Sequence, residues 1–354
     1  MSSLRSCVRT LVLLSVVLEV PLLARATRAL TGTPRVESLV IDAVPAELVV
    51  PAGRGPWPAF HFVTGAHPER RQEAVVQRVS DGLARAGFIV VVPDLPGLGE
   101  EEVTPRTFAA ARTITLAVSE RPDVRNGSVA LAGASVGAAI ALVTAADPDV
   151  ADDISVVAAI VPFADIERMT GLATTAQYGE NGSAGRYEVT ALMRRVVAKS
   201  LVTTLPDGAD RTSMLAQLRA QDPDDVDGLR CLSTPTRALG PEGQRVADLL
   251  LNEDPERFHD LYRALPAGLA RAFDAVSPAR CAAAVRAPVE VIAPPADPYF
   301  PLPEAEAVVD LVLDGRLTVT RVLDHTRPSL TLSHLGDLLR FLGWVRRCLD
   351  RAAA

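Results

Sequence analysis

Short β-rich runs alternate with helical patterns along most of this 354-residue chain, and no other feature limits the fold so strongly. Residues 38–44 and 46–50 are β-branched runs separated by Pro45, which predicts a tight connection there. Residues 58–63 read as a strand. Residues 69–86 read as a helix with Val75, Val79 and Leu83 on one face and Gly87 as its stop. Five apolar residues in a row at 88–92 suit a strand buried on both faces of a parallel sheet. A helix over 104–120, a strand over 128–132, a helix over 136–146 and a strand over 154–161 follow. The expected class is α/β, with a mostly parallel sheet covered by helices on both faces.

The alternation then stops. Residues 165–284 read as mostly helical, with helices expected at 191–201, 244–251 and 257–263. Strand signal returns at 288–293, followed by a helix over 303–313, a strand over 316–323 and a last helix over 332–350. The organisation expected is an apolar segment 1–34, a core in two parts (35–164 and 285–354) and a helical cap, 165–284, inserted after the sixth strand. Apolar residues make up 48% and charged residues 22% of the chain, which excludes a disordered or fibrous protein. With 36 basic and 43 acidic side chains the net charge is -7, so nucleic acid is not an expected partner. Cys7, Cys231, Cys281 and Cys348 form no CxxC pair and no Cys/His cluster, so neither a zinc site nor a disulfide framework is expected.

The first residues admit two readings. Arg5 and Arg9, an apolar run at 11–18 and Ala24-Arg25-Ala26 have the layout of a secretory signal, and residues 10–24 could associate with a membrane. The run is short for a span, which needs about 20 apolar residues, and it ends at Glu19. The other reading is a helix lying on the protein or on a bilayer surface. Export or anchoring is favoured slightly over a cytoplasmic location.

Chemistry concentrates at Gly133-Ala134-Ser135-Val136-Gly137, a G-x-S-x-G between an expected strand and an expected helix. A sharp strand-to-helix turn exposes the serine hydroxyl and needs nearly side-chain-free flanking positions. The same stretch also looks like a dinucleotide-binding turn. That reading fails because Ala139 stands where its last glycine belongs and the turn lies mid-chain. The Tyr-x-x-x-Lys pair of such enzymes is also missing, since Arg195 stands four residues before the lone lysine, Lys199.

A serine nucleophile needs a base, and there are five histidines. His61 falls inside a strand, His259 within the insertion, and His67 just past a strand where it would line a mouth. His325 follows the last strand at the carboxyl end, where open α/β sheets place their chemistry, and His334 lies nine residues further. His325 is the expected base. Asp297, in the loop after the preceding strand and between Pro295 and Pro298, is the expected acid that orients it.

The order Ser135, Asp297, His325 resembles that of the α/β-hydrolase superfamily, and the resemblance covers the chain from about Ser38 onward apart from the insertion. Thr64-Gly65-Ala66 is similar to that family's oxyanion loop, with Thr64 where many members carry His. Asp94-Leu95-Pro96-Gly97-Leu98-Gly99 is similar to its D-x-x-G-x-G turn, and Pro122-Asp123-Val124 to the segment before the elbow in dienelactone-hydrolase and prolyl-oligopeptidase-like branches. The resemblance implies an eight-stranded α/β-hydrolase sheet and a serine esterase. Ser135, Asp297 and His325 would be catalytic, the Ala66 and Val136 amides would form the oxyanion hole, and no metal or organic cofactor would be needed. The substrate expected is a small acyl compound. An acyltransferase, a peptidase or a non-catalytic binding module on the same scaffold are the alternatives. Met169, Tyr178, Tyr187, Met193 and Tyr262 are candidates for lining an apolar pocket or for the insertion's own core.

Overall fold

A computed structural model describes residues 2–179, 185–328 and 335–354. Its centre is an eight-stranded sheet formed by β1 (Arg35–Ile41), β2 (Val44–Val50), β3 (Trp57–Val63), β4 (Ile89–Pro93), β5 (Val124–Ala134), β6 (Ile154–Ile160), β7 (Val289–Ala293) and β8 (Gly315–Val319). The spatial order is β1-β2-β4-β3-β5-β6-β7-β8. β2 runs antiparallel to β1 and β4, and every other neighbouring pair is parallel. β4 and β7 are buried along their whole length; the apolar run of β4 requires this, whereas β7 buries Glu290 against Arg347 at 2.9 Å.

Several of the expected boundaries move; β1, for instance, ends at Ile41 rather than at residue 44. The first hairpin turns at Asp42 and Ala43, both with positive φ, rather than at Pro45, which sits inside β2 opposite Val40. A two-residue loop with both φ positive matches the twist of paired strands, and a short polar Asp adopts that conformation more readily than most residues. The helix expected over 69–86 is interrupted at Glu73, leaving a 3-10 turn (Arg70–Gln72) ahead of α3 (Ala74–Arg85).

The helices cover the sheet on both faces. α4 (Pro105–Ser119), α5 (Val136–Ala145) and α12 (Leu302–Leu311) lie on one, and α3 and α13 (Leu335–Ala352) on the other. Between α3 and α13 lies α1 (Ser2–Val17), which α2 (Pro21–Leu30) follows after a 120° bend. Leu13, Leu14 and Val16 of α1 are buried, and each apolar side chain of this size stabilises by roughly 1.5–3 kcal/mol when withdrawn from water. Gly82 of α3 makes room for the approach. A Cβ there would stand 2.8 Å from Leu13 Cδ1 and 3.1 Å from the Leu13 carbonyl. The Arg9 guanidinium lies 5.1 Å from the Phe88 ring centre, a cation–π contact. Arg85 ties down the end of α2 through the Gly32 carbonyl (2.7 Å) and the Thr31 hydroxyl (3.1 Å). Among the described residues no single helix is long and apolar enough to cross a membrane, although the bent α1–α2 pair has the length and composition for it.

Among the described residues six α-helices separate β6 from β7: α6 (Ile166–Thr175), α7 (Ala191–Thr204), α8 (Ala209–Arg219), α9 (Pro241–Leu250), α10 (Pro255–Arg263) and α11 (Ala267–Asp274). Among the polar contacts that join them to the rest, two knots gather around a single buried carboxylate each. Glu304 of α12, fully buried, accepts hydrogen bonds from the Ala164 and Asp165 amides (2.8 and 3.0 Å), Arg168 Nε (2.6 Å) and the Tyr178 hydroxyl (2.8 Å). Glu101 accepts from Arg195 (2.7 Å) and Lys199 (2.8 Å) of α7. Burial alone would raise the Glu101 pKa, but the hydrogen bonds from the two cations outweigh it and hold the carboxyl below its ordinary value.

Candidate active site

β5 delivers Ser135 at its carboxyl end and α5 begins at the next residue. Ser135 has φ 57° and ψ -127°, a region an L-residue enters only when its surroundings force it. The surroundings are backbone packed against backbone. A Cβ on Gly133 would collide with the Gly137 carbonyl, and a Cβ on Gly137 with the Val63 and Thr64 carbonyls. Both positions therefore demand glycine. The Ser135 amide is held by the Ile160 carbonyl at 2.9 Å. The Val136 amide opens α5, where the helix dipole favours negative charge. Neither it nor the Ala66 amide donates to a partner among the described turn, loop and cap hydrogen bonds.

Asp297 lies in the loop after β7, with its side chain 1% exposed. One carboxylate oxygen accepts from the Tyr299 and Phe300 amides, each at 2.9 Å. The other meets His325 Nδ1 at 2.8 Å. These two amides, more than the flanking prolines, fix the carboxylate. The expected strand over 316–323 ends earlier, at Val319. A short antiparallel ladder, Leu323–Asp324 against Arg327–Pro328, follows, and His325 and Thr326 form its turn. His325 takes φ 51° there. The Tyr299 ring lies 4.5 Å from the imidazole, centre to centre, and Phe300 6.1 Å.

Ser135, His325, Ala66 and Val136 line one cavity of about 500 Å³, within the usual range for a small-molecule site. Its floor is the carboxyl end of the sheet and its roof comes from α6, α7 and α11, including Met169, Met193 and Phe273. Tyr178, Tyr187 and Tyr262 are not part of its wall. Tyr178 binds Glu304, and Tyr262 is buried beside Phe258. The Tyr187 hydroxyl donates to the Asp297 carbonyl, a contact across the insertion that sequence reasoning missed. Burial and the nearby Asp297 carboxylate push the Tyr187 phenol up to about 12, so it remains a donor at neutral pH.

The other histidines are placed elsewhere or differently. His61 is fully buried in β3 with Nδ1 3.0 Å from the Thr115 hydroxyl, and burial pushes its imidazole down to about 3. His67 lines the cavity and its Nδ1 accepts from the Glu69 amide at 3.3 Å. His259 pairs with Glu167 on the surface at 3.1 Å. His334 lies outside the described residues. Among those residues no group of three or more His, Cys, Asp or Glu side chains is arranged to hold a metal ion.

Residues 48–311, well over half of the chain, match the alpha/beta hydrolase family. The chain belongs to that family. As a class, its chemistry is hydrolysis. A search of curated proteins returned no match. Solved structures share the fold at low identity. A 2,6-dihydroxy-pseudo-oxynicotine hydrolase superposes with a TM-score of 0.50 at 14% identity over 89% of this chain and 68% of its own. An acylaminoacyl peptidase of Pyrococcus horikoshii gives 0.50 at 11% over 85% and 39%. An esterase of Pyrococcus furiosus gives 0.49 at 11% over 91% of each chain. At such identity the likeness of the first two speaks for the fold alone.

Proposed function

We propose that this alpha/beta hydrolase is a serine hydrolase that cleaves a carboxylic ester or similar acyl compound through an acyl-enzyme intermediate. The observation that carries the reading is the 2.8 Å bond from His325 Nδ1 to the buried Asp297, made beside a cavity that also presents the strained Ser135. In the first step Ser135 Oγ bonds to the substrate carbonyl carbon while its proton passes to His325 Nε2. Negative charge on the carbonyl oxygen is met by the Val136 and Ala66 amides, aligned before the reaction begins. The tetrahedral intermediate collapses as the bond to the leaving oxygen breaks and His325 returns its proton there. Water then attacks the acyl-enzyme, with His325 taking a proton and passing it back to Ser135 as the acid departs. Asp297 keeps Nδ1 protonated and stabilises the imidazolium.

The test is labelling with an ethyl fluorophosphonate probe on wild type and Ser135→Ala, the modified peptide being located by mass spectrometry. The expected adduct is on Ser135 and absent from the variant, whose ester turnover falls by about six orders of magnitude. A folded wild type that takes no probe, or a Ser135→Ala protein with undiminished turnover, overturns the reading. Product analysis with a competing alcohol or amine distinguishes hydrolysis from acyl transfer.

A further inference from the structure

The cavity beside Ser135 has a neighbour. A second cavity of about 120 Å³ lies on the opposite flank, beneath α1. Phe62, Val75, Val79, Ile160 and Thr326 belong to the walls of both, so the two spaces share a wall. The far walls are Leu13, Leu14 and Val17 from α1 and Phe341, Val345 and Cys348 from α13.

Close-packed interiors leave few voids larger than a water molecule. An apolar void stays dry and takes apolar guests. Here the lining is hydrocarbon apart from the Thr326 hydroxyl, the Cys348 thiol and the Trp344 indole, whose N–H is already given to the Glu290 carbonyl at 3.1 Å. Nothing in that lining would recognise a polar or charged group. The shared wall consists of Phe62, Val75, Val79, Ile160 and Thr326, and Thr326 adjoins His325 in the same turn. A route across that wall, starting at the reacting centre, would suit a flexible hydrocarbon. An ester has two arms, and the roof of the first cavity against Met193 and Phe273 offers space for the other.

We propose that the cavity under α1 is the terminal subsite for a long, unbranched acyl chain, which makes long-chain acyl esters the substrate class. The inference rests on the serine-hydrolase reading and deepens it. The carbonyl would sit at Ser135 and the chain would pass Val75 and Val79 to end against α1 and α13, so the N-terminal helix becomes one wall of the substrate site.

The direct test uses the wild-type protein and a dodecyl fluorophosphonate carrying a terminal diazirine. Ser135 Oγ bonds to phosphorus as fluoride leaves, and irradiation then expels nitrogen and leaves a carbene that inserts into whatever lies at the chain end. Cross-links to peptides of α1 or α13 are the expected result. Cross-links confined to α7 or α11 overturn the proposal. A second measurement narrows the subsite from opposite walls with Val17→Phe and Val345→Phe, each checked for folding by circular dichroism. The ratio of kcat/KM for p-nitrophenyl dodecanoate to that for p-nitrophenyl acetate should fall at least tenfold in both. An unaltered ratio in folded variants counts against the subsite while Ser135 labelling by the ethyl probe still stands. Failure of the ethyl probe on wild type removes the hydrolase reading itself.

Discussion

His61 sits in β3 with Nδ1 against the Thr115 hydroxyl and with Nε2 unpartnered among the described residues, so its ring is held neutral. Its folded pKa, about 3, lies below the ordinary 6.5, and the unfolded chain therefore binds the proton first. The stability this confers is complete above pH 6.5 and is lost as pH falls toward 3. At pH 5 the loss reaches about 2 kcal/mol, since each pH unit below 6.5 costs about 1.4 kcal/mol. Urea midpoints at pH 7 and pH 5 should fall further apart in wild type than in His61→Gln, and equal shifts would contradict the burial argument. His325, also an imidazole, faces a carboxylate and a cavity instead. Asp297→Asn should lower kcat by about four orders of magnitude while leaving the fold intact, because an amide no longer selects the tautomer with its proton on Nδ1. A loss below tenfold in a steady-state ester assay would remove Asp297 from the proposed mechanism. Ser135 was legible in the sequence because its requirements are local, two glycines and a turn. Asp297 and His325 were legible through their places after β7 and β8. Tyr187 and Tyr299 were not, because what they touch is decided by how the insertion and a loop fold back.

Element by element, the strands were the easiest to read, since a run such as Val90-Val91-Val92 has no good alternative to a buried strand. Turns were harder. Pro45 looks like a connection, yet Asp42 and Ala43 make it, because a proline can sit within a strand while the turn needs two positive φ values. Hardest was α1, whose apolar residues suit a signal sequence or a bilayer only slightly better than a protein flank. Its seat against α3 gives a prediction of sign. In an open helix, replacing Gly by Ala stabilises by about 1 kcal/mol. At Gly82 the new methyl would meet Leu13 Cδ1 at 2.8 Å and the Leu13 carbonyl at 3.1 Å, and a backbone oxygen cannot swing aside. Gly82→Ala should therefore lower the urea midpoint, by the 1–3 kcal/mol typical of overpacking. A raised midpoint would mean that α1 is not seated there.

For the molecule as a whole, the question is how an insertion of six helices is held over the sheet. Glu304 carries much of that connection, since one buried carboxylate serves two backbone amides, an arginine and a tyrosine from the segment following β6. Glu304→Ala strands the Ala164 and Asp165 amides, each costing about 1–3 kcal/mol, so a loss of about 2–6 kcal/mol is expected in equilibrium unfolding. A loss under 0.5 kcal/mol would show that the amides find other partners. The Glu101 knot is the second tie, and its cation Lys199 is the sole lysine in the chain. With 9% of that residue exposed and its ammonium engaged, the ε-amine is shielded from acylating reagents for as long as α7 stays docked. The protein thus carries a built-in chemical clock: the rate at which Lys199 is modified by an N-hydroxysuccinimide ester, read against total unfolding, reports how often the roof lifts from the sheet.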